Sequence, residues 1–392
     1  MTAIKPKGRL EGAALAAAIE ENIPALTKDY EPEFSSQLVK NVAAIIDKSY
    51  FRSELIGFDE LPERNNPDVP LIYAGNHSGM AFPWDAMIFG ARMHQLVDFD
   101  VNKGIRPLSA PALSQSNLMN PYMIKNLWKR SSSLDATSLN FETLMLHSPA
   151  DVLIYPEGVP GIGKGFNNKY KLQKFSTSMI RMSLKYKTDI IPVYTINGEY
   201  LNPYSYSIKP IDRLVQMIGI PYLPITFILP LLLLFPWMFY FAFPAKLTYV
   251  RGTRLSPYKW LDKPFEEVTR ADLEMCRDRV MQEMQRELEE GVKQYGQKPY
   301  RWGELWSKIK ANFKYYPYHL PWGWPAIFLE FQRRWVAQGK KGKLEIDFAK
   351  FSIFKAIANN PILVAYYIPI LGWIPILYFG LKGREKGYFW KG

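Results

Sequence analysis

With 392 residues, 48% of them hydrophobic, the chain can bury a sizeable core as one large or two modest domains without disulfides or a structural metal. Its single cysteine, Cys276, excludes an intramolecular disulfide framework, and His77, His94, His147 and His319 are not spaced as zinc ligands, so no metal is expected. A net charge of +12 combined with long uncharged, aromatic-rich stretches fits an anionic lipid surface better than a nucleic acid, and no nucleic-acid partner is expected.

Within residues 1–50 a small-residue run, 12–19, is followed at once by Glu20 and Glu21. The run is too short and too soon charged for a secretory signal, which points to a helical segment and to action on the cytoplasmic face of a membrane. Residues 71–75, 151–155 and 190–196 are short apolar runs, each predicting a buried parallel strand. Helical spacing recurs over 139–146 and 174–186, and the alternation implies an α/β architecture: a mostly parallel central sheet flanked by helices.

Two uncharged stretches follow, 214–245 and 356–381, each longer than the roughly 20 apolar residues that cross a bilayer. Several prolines interrupt both, so spans, re-entrant hairpins and an apolar buried core all fit the pattern. Between them, 265–297 predicts an amphipathic helix with Leu273, Cys276, Val280, Met284 and Leu288 on its inner face. From 300 to 350 the chain interleaves Trp302, Trp306, Trp322, Trp324 and Trp335 with lysines and arginines, the composition of a membrane-interface belt. The expected organisation is an N-terminal helical segment over 1–50, a catalytic domain over 51–297 with a hydrophobic insertion near 214–245, and a membrane-associated region over 298–392.

Two blocks carry chemistry. The strand over 71–75 runs into Asn76-His77-Ser78-Gly79, and Asp85 lies shortly beyond. A histidine at the carboxyl end of a parallel strand stands where α/β folds place their ligands, and a neutral imidazole can take a hydroxyl proton near pH 7. An aspartate accepting its other N–H would fix the tautomer. The second block, Tyr155-Pro156-Glu157-Gly158, opens a loop with Gly161, Gly163 and Gly165 and with Lys164, Lys169, Lys171 and Lys174. Its amides and ammonium groups suit an anionic group, although a solvated surface turn has the same composition.

Together the Asn-His-Ser-Gly opening at 76–79, Asp85, the Pro-Glu-Gly at 156–158, the strand at 191–193 and the approach at 55–62 resemble the glycerolipid acyltransferase superfamily, which includes lysophosphatidate and monoacylglycerol acyltransferases. The resemblance spans roughly 50–295. It implies a membrane-bound O-acyltransferase with His77 as general base and Asp85 as its orienting partner. Glu157, Gly158, Arg130 and Lys164 would bind substrate, and the amides near Ser78 and Gly79 would stabilise the oxyanion. No cofactor is implied; the co-substrate would be a thioester of coenzyme A or acyl carrier protein, and membrane lipids the partners. One departure stands out: seven residues separate His77 from Asp85, where the common pattern has four. On one continuous helix that offset would separate them by about 12 Å, but Gly79 and Pro83 argue for a loop that brings Asp85 back. A noncatalytic lipid-binding protein of the same fold, and a lipid hydrolase, are the alternatives.

Overall fold

The computed structural model describes residues 11–79, 82–115, 119–208, 210 and 228–381. Seven strands form one sheet: β1 (Glu54–Ile56), β2 (Ile72–Gly75), β3 (Ile105–Ser109), β4 (Leu134–Asp135), β5 (Asp151–Ile154), β6 (Ile190–Ile196) and β7 (Thr248–Arg251). Their order is β1-β7-β6-β2-β5-β3-β4, and every pair is parallel except β6 with β7. All three strands expected from apolar runs are present and occupy the centre of the sheet, buried on both faces as helix-covered parallel strands must be. The outer strands β3, β4 and β7 give no comparable run in the sequence. Pro192 lies inside central β6, where its missing N–H would break a ladder. There the pairing to the 248–255 strand slips by one residue, from Val193↔Arg251 to an isolated bridge Ile190↔Leu255, as a bulge allows.

The helices Ser138–His147 and Ser178–Tyr186 match the expected periodicity. The long amphipathic helix runs Arg270–Tyr295, started by a Thr269/Asp272 capping box, and buries Cys276, Val280, Met284 and Leu288 against one face of the sheet. The other face carries an aromatic core in which Phe34, Tyr50 and Phe51 of the helical run over 32–51 meet Trp84, Trp324, Phe331 and Trp335.

That core corrects part of the interface-belt expectation. Trp324 and Trp335 are fully buried on the helix Trp324–Ala337, because its apolar face has the aromatic N-terminal segment to pack on. Trp302 and Trp306, on the helix Trp302–Ala311, remain exposed. Among the described residues no helix is long and apolar enough to cross a membrane. The prolines divide 356–381 into the end of Ile353–Asn359, a 3-10 segment Pro361–Tyr366 and the helix Trp373–Leu381. Residues 214–227 of the first uncharged stretch lie outside the described residues; beyond them the chain forms Leu229–Leu234 and a 3-10 segment Pro236–Tyr240.

Candidate functional site

The sheet register assembles the site. β2 and β5 pair with a constant offset of 80 residues, Ile72↔Val152 to Ala74↔Ile154. Both strands end together, and the same offset continues past their ends to bring His77 against Glu157. The His77 amide donates to Glu157 Oε1 at 2.7 Å, and the Gln173 amide donates to Oε2 at 2.6 Å. Glu157 therefore clamps the histidine turn to the segment that leads into Ser178–Tyr186. Its carboxylate is buried, with its pKa raised by burial and only partly drawn back by Lys164 and the two amides.

Beside it, Asn76 closes the other flank. Its side chain accepts from the Thr195 amide at 2.7 Å and donates to the Thr195 carbonyl at 3.3 Å, tying the end of β2 to β6. The His77 ring stacks on Tyr155, centroids 4.7 Å apart and planes at 23°. Two glycines make room. A side chain at Gly75 would strike the Tyr155 ring at 2.7 Å, and one at Gly161 would strike His77 at 2.9 Å. Ring position is thus set by stacking and backbone approach.

Asp85 reaches the site, but by another route than expected. Gly79 has a φ of +67°, outside helical geometry, and a helix, Trp84–Leu96, starts directly after Pro83. Asp85 in its first turn is buried, accepts from the Ser78 hydroxyl and the Ala86 amide, and has its backbone carbonyl held by Tyr249 O–H at 2.7 Å. Among the described residues no hydrogen bond joins its carboxylate to the imidazole. Burial raises its pKa, which the bonds from Ser78 and Ala86 partly oppose.

Lys164 also turns inward, whereas Lys169, Lys171 and Lys174 are exposed. Its ammonium is 3.2 Å from Glu199 Oε1, both side chains are buried, and its stem lies against Gly79. His77 keeps part of its surface accessible. Burial first, then the Lys164 charge, hold its pKa down to about 3. The imidazole is neutral at pH 7. Among the described residues the Ser78 and Gly79 amides make no hydrogen bond to the protein, so both are free to donate to a developing anion.

Arg130 lies elsewhere. Its guanidinium is spent on a bidentate pair with Glu31, at 2.9 and 3.0 Å, on Gln332 at 3.1 Å and on the Phe34 ring at 3.5 Å. It ties the N-terminal helical run to Trp324–Ala337: three of its five N–H donors go to Glu31 and Gln332 and its face is covered by Phe34, so in this structure the cation expected to bind substrate is engaged by the scaffold. Arg106 is likewise buried, on the Leu26 and Ser132 carbonyls. Gly158 is exposed at the start of the turn Gly158–Ile162, with φ +58°. Asn76, Tyr155 and Glu199 escaped sequence reasoning. Only their adjacency to the His77 and Glu157 blocks, in the first two cases, hinted at a role.

No family model matches the chain. Over 227 residues it is 28% identical to an uncharacterized protein of Mycobacterium tuberculosis and to one of Mycobacterium bovis, and 26% identical to one of Mycobacterium leprae. The match takes in 56% of this chain and 57–58% of the length of those relatives. Likeness at this level leaves the chemistry of the site to its geometry.

Proposed function

We propose that the chain is a membrane-associated O-acyltransferase that moves an acyl group from a coenzyme A or acyl carrier protein thioester to the hydroxyl of a glycerolipid or similar amphipathic alcohol. The observation that carries this reading is the neutral, partly accessible His77 at the carboxyl end of the central strand, next to the unbonded amides of Ser78 and Gly79. A lone pair that can take a hydroxyl proton and two donors for an oxyanion are what acyl transfer without a covalent intermediate requires. His77 takes the proton as the alcohol oxygen attacks the thioester carbonyl. The tetrahedral oxyanion accepts from the two amides; the C–S bond then breaks, and the imidazolium returns its proton to the departing thiolate. Burial and Lys164 make that imidazolium short-lived, which favours its role as the acid of the second half.

The membrane part of the reading is supported by side chains left in water. Trp306, Phe313, Phe354, Ile370, Leu371, Ile374, Tyr378 and Phe379 are exposed in the region beyond residue 300, and Lys308 and Lys310 accompany Trp306 on its helix. This surface would face the cytoplasmic leaflet. The test is thiol release from an acyl thioester in the presence of a lipid alcohol by wild type and His77→Ala. Transfer that disappears in the variant supports the enzyme, and water as sole acceptor would mean a hydrolase. A second reading, a lipid-binding protein without activity, is favoured by one observation: the Asp85 carboxylate is occupied by Ser78 and not by the imidazole. Lipid binding without thiol release would decide for it.

A further inference from the structure

Behind the helix Trp84–Leu96, on the side away from His77, lies a cavity of about 80 Å³, several times the 10–15 Å³ or so that a single water occupies on this measure. Ala86, Met87, Gly90, Ala91 and His94 form one stripe of that helix along the wall. Opposite stand Val39 and Val42 of the π-helical turn Val39–Ala43, a rare geometry concentrated at functional sites. Trp128 and Phe328 also line it, with Ser35, Ser131, Ser132 and Ser133 as its hydroxyls, and among the described residues no Asp, Glu, Lys or Arg does.

Two features are costly unless something occupies this space. His94 is 7% exposed, and neither ring nitrogen has a hydrogen-bond partner among the described residues; the Ser131 hydroxyl is buried and equally unpartnered. Gly90 sits mid-helix at a loss of helix stability, and a side chain there would meet nothing within 4 Å. The chain thus keeps a void open and leaves polar groups bare within it.

We propose that this cavity binds a slender, uncharged, mostly apolar ligand with one hydroxyl or carbonyl group, which bonds His94 and Ser131 while its alkyl part lies along Gly90 and the π-helical turn. The absence of charged lining excludes an anionic headgroup, since nothing there would offset its desolvation. Burial holds the His94 imidazole neutral, and a neutral ring offers one donor and one acceptor to such a group. The inference stands on this cavity alone and does not depend on the transfer reaction.

The test uses the full chain with 1-hexanol as probe, beside n-hexane, which lacks the hydroxyl, and hexanoate, which adds a charge. Hexanol should raise the thermal midpoint and shift the His94 ring nitrogen resonances, with a Kd about tenfold below that of hexane, the worth of one net hydrogen bond. Hexanoate should do neither. Gly90→Leu, which fills the void and improves the helix, should unfold at a higher temperature and lose the response to hexanol. His94→Leu should fold at least as stably, because it removes a bare polar group, yet lose the preference for hexanol over hexane. The proposal is overturned by any of three results: an undiminished hexanol response in Gly90→Leu, an equal response to hexanoate, or His94 resonances that report water and are indifferent to the alcohol.

Discussion

A histidine whose backbone amide is gripped by a buried carboxylate has its main chain fixed while its ring stays available. Glu157 provides that grip, so its loss acts on position as well as on any ligand. Glu157→Gln keeps the shape but turns one acceptor into a donor facing a backbone amide, which should lower stability by about 1–3 kcal/mol in denaturant unfolding and slow transfer in the folded fraction. Unchanged stability would return Glu157 to a purely ligand-binding role. His77→Ala should leave the fold intact and cost about 10²- to 10⁴-fold in transfer, read as thiol release.

The charge state of His77 gives a second check. Its folded pKa lies below the usual 6.5, so as pH falls the unfolded chain binds the proton first. This group's contribution to stability is therefore present above about 6.5 and is lost as pH falls toward its folded value. The pH profile of transfer should accordingly show no acid limb near 6.5, and the His77 ring should stay neutral by NMR at that pH. A titration at 6.5 would mean that neither burial nor Lys164 acts on it. Asp85 works through Ser78 in this geometry, so Asp85→Asn and Ser78→Ala should be strongly non-additive with each other. Additive losses would mean that Asp85 serves another partner during turnover.

At the scale of elements, the sequence was most legible where burial is two-sided. Ile72–Gly75, Asp151–Ile154 and Ile190–Ile196 read as strands because both their faces are covered and the apolar run is unbroken. Leu134–Asp135 and Thr248–Arg251 did not, because strands of two and four residues with mixed side chains take their assignment from the neighbours they pair with. The helix Arg270–Tyr295 announced its face but not its start, which Thr269 sets five residues after the expected 265; Thr269→Ala, which removes the cap, should cost about 1 kcal/mol of unfolding free energy. Arg130 was illegible for the opposite reason: Glu31 and Gln332, its partners, are 99 and 202 residues away. Arg130→Met should destabilise the protein by roughly 2 kcal/mol, the value of charge-assisted hydrogen bonds, without changing the KM for an acceptor. A selective rise in KM would restore it to the site.

Across the whole molecule, the proposed membrane attachment rests on exposed apolar side chains more than on charge. High salt alone should therefore leave the protein on anionic vesicles, while Ile374→Asp combined with Trp306→Ser should reduce sedimentation with them. Release of all protein by salt would make the attachment electrostatic and the apolar surface incidental. The sequence by itself determined the α/β class, the central strands, the amphipathic helix and the two blocks that meet at the site, because each is written in local periodicity or in residues a few positions apart. Only the tertiary structure decided which tryptophans are core and which face water, that Arg130 is a strut, that Lys164 is buried against Glu199, and that the Asp85 carboxylate takes the Ser78 hydroxyl. Those outcomes depend on the register of parallel strands and on packing between segments tens to hundreds of residues apart, and no local pattern encodes either.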